Sequence, residues 1–449
     1  MGLFDWLFGK KRDEYGAGLN RSYPPSQPQQ VRPVPSQGGP VPSAGTPQNG
    51  KRTSYLSWRR RRSRESVVSV RDQTLGGSVD PQTGRHSEAG AIGNLGGSPR
   101  HPDPYFDAGR VASHELPALP HLDSLAALVE TPLPELKWLS VMPPFGDKMW
   151  GHYCLFEVKK KSGGTRLLAA PLPRLKAVQR RILDKLVSRL PVHGAAHGFR
   201  RGRGILSGAT VHVGKDVLVC FDIKDFFPSF TFRRVSGFFR WLGYGRGIAN
   251  AIAALTTVRL TDTNRRREGK WEHPGLAKHP DMLKRRQPEL PQGAPTSPGL
   301  ANAICWRMDK RLSALARKFG GDYTRYADDL TFSGGEDFAR HAANLIKLVR
   351  KIVRTEGLAL NEKKTRVMRK ARQQRVTGVV VNEKTNLCRR DFDKLKAILH
   401  NCAKHGPAGQ NLENHPDFKG HLQGRVAHAL HIGPERGARL KALFDKIVW

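Results

Sequence analysis

Residues Thr324–Gly334 read TRYADDLTFSG and place two adjacent aspartates, Asp328 and Asp329, between short runs of Thr, Tyr, Leu and Phe. β-Branched and aromatic residues suit a pleated, half-buried surface. A small alanine and two acids at the break predict a tight hairpin turn. Neighbouring carboxylates repel each other and need a counter-charge. Crowded oxygen ligands are also what a Mg²⁺ ion takes. Two acids in a solvated turn are commonplace, so the pair gains meaning only if the chain adds a third carboxylate and a surface for an anionic substrate.

The third acid comes earlier. Val217–Phe221 is a run of β-branched and apolar residues that predicts a buried strand, and it ends in Asp222. If this strand neighbours the hairpin, Asp222, Asp328 and Asp329 converge. Three such acids suit two Mg²⁺ ions about 3.5–4 Å apart, the arrangement that clamps the attacking and leaving oxygens of an in-line phosphoryl transfer.

The bulk composition supports an anionic partner. Lys and Arg total 76 against 39 Asp and Glu, giving a net charge of +37 and a pI of about 10.6. A polyphosphate backbone is the partner such a balance favours. The chain of 449 residues has room for two or three domains. Its mean hydropathy of −0.51 points to a part that does not fold. Cys154, Cys220, Cys305, Cys388 and Cys402 are scattered without a CxxC pair, which argues against a zinc site or a disulfide framework. No run of about 18 apolar residues predicts a transmembrane helix. The opening MGLFDWLFGKKRDE lacks a signal-peptide pattern, so a cytoplasmic location is expected.

Residues 1–112 are rich in Pro, Gly, Ser and Gln, and the expectation for them is a disordered basic extension. Within it, Lys51–Arg64 (KRTSYLSWRRRRSR) sets Tyr55 and Trp58 among arginines, which suits RNA or a solvated charge run equally. Residues 113–150 predict a helical lead-in broken by Pro132 and Pro134, and 151–383 form the main mixed region. It opens with a β-hairpin over 153–169, then an amphipathic helix over 173–191. A Gly/Arg loop follows at 194–204, where His193 and His197 have zinc-like spacing but no third ligand. Residues 262–290 form a polar, basic insertion, 358–368 a strand-and-loop unit and 374–382 a hairpin. Residues 384–449 predict helices near 391–404, 418–431 and 434–447.

Several residues fit the same chemistry. Lys161 and Arg166 on the first hairpin suit a triphosphate, with Arg offering a bidentate grip. Gln292 and Gly293 lie in a tight loop that allows close backbone approach to a nucleotide. Phe227, five residues past Asp222, can place a flat ring under a sugar, although a lone Phe there suits a core as well. Lys364 can donate a proton to a leaving pyrophosphate.

FDIKDFFPS (221–229), QGAPTSPGLAN (292–302), YADDL (326–330), LNEKKT (360–365) and VTG (376–378) together resemble reverse transcriptases of the retron type, over about residues 115–449. HGAAHGF (193–199) and the long N-terminal extension are similar to the myxobacterial branch. The family's Asn-Ala-x-x-His box matches here as Gly208-Ala209-Thr210-Val211-His212, with Gly208 in place of Asn. The resemblance implies an α+β right-hand polymerase: fingers and palm over 151–383, an antiparallel palm sheet carrying the acids, and a helical thumb over 384–449. It implies RNA-directed DNA synthesis on a cognate structured noncoding RNA, from the 2′-hydroxyl of a guanosine, giving a branched RNA–DNA product (msDNA). It also implies anti-phage defence with an effector protein. By the same resemblance Asp222, Asp328 and Asp329 bind Mg²⁺, with Lys364 catalytic; Lys161, Arg166, Phe227, Gln292 and Gly293 bind dNTP; and His197, Ala209, His212, Val376, Thr377 and Gly378 recognise RNA or hold the primer. An intron-encoded or diversity-generating reverse transcriptase and a non-catalytic RNA-binding scaffold remain alternatives.

Overall fold

The computed structural model describes residues 103–141, 152–159, 165–259 and 287–449. The first helix, α1 (Ala108–Ser113), begins where the Asp107 carboxylate accepts from the Arg110 N–H at 2.9 Å. Its Val111 is buried, and the Asp107 N–H donates to the Gly243 carbonyl at 2.8 Å. This corrects the expectation of disorder through residue 112: residues 103–113 are folded against the main body, with Asp107 bonded to Gly243 and Asp103 to Gly247. Lys51–Arg64 lies outside the described residues. The prolines then divide α2 (Leu122–Leu128) from α3 (Leu133–Ser140), with Pro134 in the first turn of α3, where its missing N–H leaves no bond unmade.

β1 (Tyr153–Lys159) and β2 (Thr165–Pro171) form the expected antiparallel hairpin, with Tyr153 opposite Pro171 and Lys159 opposite Thr165. Residues 160–164, including Lys161, lie outside the described residues. α4 (Pro173–Lys185) buries Leu175, Val178 and Ile182, one stripe at helical spacing. α5 (Ile205–Thr210) leads to β3 (Val217–Lys224). Then come α6 (Phe232–Trp241) and α7 (Arg246–Thr256), followed by α8 (Ser297–Ile304) and α9 (Trp306–Lys318). Most of the basic insertion, 260–286, is outside the described residues.

The hairpin of β4 (Gly321–Tyr326) and β5 (Asp329–Gly334) joins β3 in one antiparallel sheet. After α10 (Glu336–Arg340) and α11 (Ala342–Thr355), the chain returns as β6 (Ala359–Leu360) and β7 (Arg366–Arg369). The order is β4-β5-β3-β6, with β7 also on β3, so β6 and β7 share one side of that strand. Val217, Val219, Phe221 and Ile223 face the main core. Leu218, on the other face, packs with Ala209, Val376, Val379, Val381 and Ile432. Burial on both faces is why β3 reads as an unbroken apolar run. Strand alternation puts Asp222 on the Leu218 face.

β8 (Arg375–Val376) and β9 (Val379–Val380) form a two-residue-loop hairpin. Thr377 and Gly378 have φ of 46° and 92°, as a tight primed turn requires. The last helices, α12 (Arg389–His405), α13 (Phe418–Ile432) and α14 (Pro434–Phe444), enclose their own core of Leu395, Leu399, Leu422, Val426 and Leu440. The expected mixture of helices and an antiparallel sheet is present. No helix among the described residues is long and apolar enough to cross a membrane.

At the open end of the β4–β5 hairpin Gly321 pairs with Gly334, and the Phe338 ring lies over both. A methyl at either glycine runs into that ring. Gly334→Val is expected to destabilise the protein by about 1–3 kcal/mol, measured as a lower melting temperature, with partial recovery in Gly334→Val/Phe338→Ala.

Candidate active site

Sheet register builds the site. Asp222 on β3 and Asp329 on β5 are direct cross-strand partners. The Ile223 N–H donates to the Asp328 carbonyl at 2.9 Å, which fixes the turn against the same strand. Between β6 and β7 the chain leaves β3 as a 3-10 turn, Glu362–Lys364, at the level of Asp222. The Asn361 N–H donates to the Asp222 carbonyl at 2.8 Å, and the turn sets Lys364 Nζ 2.8 Å from Asp222 Oδ2. The sequence expectation that the three acids converge therefore holds at the backbone level, and Lys364 joins them.

The carboxylates feel one another. Burial pushes Asp329 up to about 7, with the charges of Asp328 and Asp222 adding to it and Lys364 and Arg366 opposing it. Its side chain keeps solvent access, so burial here means a crowded approach to bulk water rather than full enclosure. Asp328 is raised as well, chiefly by burial and then by Asp222, against Lys364 and Arg166. Arg166, exposed on β2, is thus close enough to act on Asp328. Among the described residues no three acidic, histidine or cysteine side chains are drawn into a closed ion cage. The donor set, all carboxylate, fits a hard divalent cation, and such a cation would relieve the raised Asp328 and Asp329.

Phe227 opens a 3-10 turn (Phe227–Ser229) just past Asp225, whose φ is 48°. Its half-buried ring meets Phe226 edge-on at 5.4 Å. The Gln292 carbonyl accepts from the Ala169 N–H at 2.8 Å, tying this loop to β2, while Gln292 Oε1 is buried without a partner among the described residues. Gly293 has φ of 125°, a conformation that side-chain-bearing residues rarely adopt.

The residues expected to recognise RNA divide. Thr377 is half-buried and Gly378 is exposed at the tip of their hairpin. Ala209 and Val376 are buried in the cluster behind β3. His212 is wholly buried, with Nδ1 2.6 Å from Ser333 Oγ and Nε2 2.7 Å from Thr324 Oγ1. His197 is buried too, with Nδ1 2.9 Å from Ser207 Oγ and Nε2 accepting from Arg203 at 3.2 Å. These four are corrected from RNA contacts to interior residues, because they offer no surface to a polyanion. Burial holds His212 near 3 and His197 near 4, so both are neutral. A methyl on Gly208 would stand 3.3 Å from His197 Cβ, so the glycine in the family box makes room for that ring.

Sequence reasoning missed Arg325. It is fully buried, with Nε and a terminal nitrogen donating to Asp309 at 2.8 and 2.7 Å. The signal was an arginine within a strand-forming run, GDYTRY, two residues before the break at Ala327.

Residues 158–381 match the family model "Reverse transcriptase (RNA-dependent DNA polymerase)". The chain is 42% identical to the retron Mx65 reverse transcriptase of Myxococcus xanthus, over 74% of this chain and 73% of that protein. It is 40% identical to the retron Mx162 reverse transcriptase of the same organism, over 75% and 69%. With the retron Ec86 reverse transcriptase of Escherichia coli the identity is 28%, over 76% and 94%.

Loss of His212 leaves two buried hydroxyls unpaired. His212→Leu is expected to lower stability by about 1–3 kcal/mol per orphaned hydroxyl, read in a denaturant titration. The unfolded chain protonates this histidine near 6.5 while the fold holds it near 3. Between those values the unfolded state binds the extra proton, so the contribution is full above 6.5 and is lost on acidification. His212→Gln should lose less stability than the parent between about pH 7 and about pH 5.

Proposed function

The chain belongs to the retron reverse transcriptases, and on that basis we propose a mechanism for its RNA-directed DNA synthesis and a role for each residue at the acidic centre. The fold is a right-hand polymerase, and the activity is that of msDNA synthesis. The cross-strand pairing of Asp222 with Asp329, with Asp328 alongside, carries the reading. In it these three carboxylates hold Mg²⁺, which when bound lowers the pKa of the attacking hydroxyl and neutralises triphosphate charge.

The protein's own groups do the rest. Arg166 on the first hairpin grips the triphosphate, and Lys161 assists it. The loop at Gln292 and Gly293, tied to β2 through Ala169, lets the backbone approach the incoming nucleotide. The Phe227 ring, braced by Phe226, lies under the sugar and excludes a 2′-hydroxyl. Lys364 steadies Asp222, and its long, exposed stem lets Nζ move to the leaving pyrophosphate and give it a proton. Fingers and palm span 151–383, and the helices of 384–449 act as a thumb on the duplex.

The template is a cognate structured noncoding RNA, and the primer is the 2′-hydroxyl of one of its guanosines, giving a branched RNA–DNA product. The excess of basic residues supports such a partner. Thr377 and Gly378 are the members of their triplet that remain available to RNA. The chain works in the bacterial cytoplasm, in anti-phage defence with an effector protein.

Asp328→Asn/Asp329→Asn is expected to abolish DNA synthesis by the purified protein while RNA affinity in a filter-binding assay stays near the parent's. Synthesis by this double variant at the parental rate would overturn the metal assignment. Phe227→Ala should raise ribonucleotide incorporation relative to dNTP by about 10- to 200-fold, measured by single-nucleotide extension. An unchanged ratio would remove the ring from its role at the sugar.

A further inference from the structure

The turn that presents Asp328 is strained. Ala327 has φ of 53°, a left-handed conformation that is uncommon for a residue with a Cβ. Such a conformation persists where its surroundings over-determine it. Arg325 supplies them from two residues upstream.

Its guanidinium lies wholly inside the protein, and one terminal nitrogen donates both to the Ala327 carbonyl at 3.2 Å and to Asn302 Oδ1 at 2.9 Å. The other side of the fork is bidentate to Asp309 on α9, whose Oδ1 also accepts from the Tyr323 hydroxyl at 2.9 Å. Asn302 on α8 in turn donates to the Gly198 carbonyl at 2.9 Å. Gly198 stands so close that a methyl there would be 3.0 Å from the Ala327 nitrogen. The Arg325 backbone closes the frame: its N–H donates to the Ala195 carbonyl at 2.7 Å, and its carbonyl accepts from the His197 N–H at 2.8 Å. The left-handed residue is therefore gripped at its carbonyl by a charge-assisted donor and crowded at its nitrogen by the 195–198 loop.

We propose that Arg325, neutralised by Asp309 and levelled by Asn302, is a positioning residue that holds the Ala327 carbonyl and thereby sets the direction in which Asp328 presents its carboxylate. A planar five-donor fork is suited to this role, because it meets a carboxylate on one edge and still offers N–H groups to a carbonyl and an amide on the other. Lysine can keep the charge opposite Asp309, but it cannot make those bonds together. A buried ion pair is weak evidence of stabilisation in itself, since apolar replacement of both partners is often neutral or better for the fold. That property separates positioning from mere structure.

The inference rests on the role given above to Asp328, so Asp328→Asn/Asp329→Asn is carried alongside. Arg325→Lys and the paired variant Arg325→Met/Asp309→Leu are compared with the parent as full chains. The readouts are kcat and KM for dNTP, RNA affinity, melting temperature, and Mn²⁺ affinity by paramagnetic resonance without turnover. Displaced supporting groups reduce activity or metal affinity by about 10- to 100-fold. The expected result is a fall of that size in kcat and in Mn²⁺ affinity, with dNTP KM and RNA affinity within about twofold of the parent and both variants folded at the assay temperature. Parental kcat in either folded variant overturns the proposal. So does a fall in kcat matched by an equal loss of RNA affinity or of folded protein, which would make the pair a fold element only. If instead the acid double variant keeps synthesis at the parental rate, the metal reading itself fails.

Discussion

Three carboxylates gathered at one end of an antiparallel sheet repel one another, and much of this protein is arranged around holding them there. The register of β3 against β5 is the primary device. It makes Asp222 and Asp329 cross-strand partners, and a slip of one residue would send Asp222 to the opposite face. Burial of β3 on both faces forbids that slip, because it would also turn Phe221 and Val219 out of the main core. Positive charge then arrives from elements distant in the chain: Lys364 from the turn between β6 and β7, and Arg166 from the first hairpin. A chain of net charge +37 thus keeps a small acidic centre among basic side chains.

Behind the acids stands a second layer that is polar yet buried. His212 links Thr324 on β4 to Ser333 on β5, and the Arg325–Asp309 pair ties β4 to α9. Fully partnered buried networks favour one arrangement over its near neighbours. Here they fix the hairpin that carries the YADD turn. The loop at Ala195–Gly198 covers the outer edge of β4 by a parallel bridge, so the β4–β5 hairpin is braced on that side as well. The box from Gly208 to His212 belongs to this layer. Its glycine accommodates the His197 ring, and its histidine lies buried against β4 and β5.

Much of the fold was legible locally. The amphipathic stripe of α4, the apolar run of β3, the Thr377-Gly378 turn and the acids at the Ala327 break are all written in near-neighbour spacing, although α4 ends at Lys185, short of the expected 191, and β3 runs on past Phe221 to Lys224. Composition misled at one boundary, since the segment before Leu116 carries a helix anchored by Asp107 and Val111. A short polar stretch with one buried valine has too little periodicity to declare itself. Histidines and small residues misled at the site. His197, His212, Ala209 and Val376 look like recognition residues in a motif, and they are interior in the fold.

What the sequence determined by itself is the chemistry: the three acids, the basic balance, and the order of motifs that places the chain among reverse transcriptases. These depend on residue type and spacing along the chain. The tertiary structure alone decided which polar groups stay exposed and which face inward. His212 finds its partners 121 and 112 residues away, and Lys364 reaches Asp222 across 142. A polar side chain is stable inside only when distant segments supply its donors and acceptors. No window of sequence holds that information, because the partners meet only once the sheet has closed.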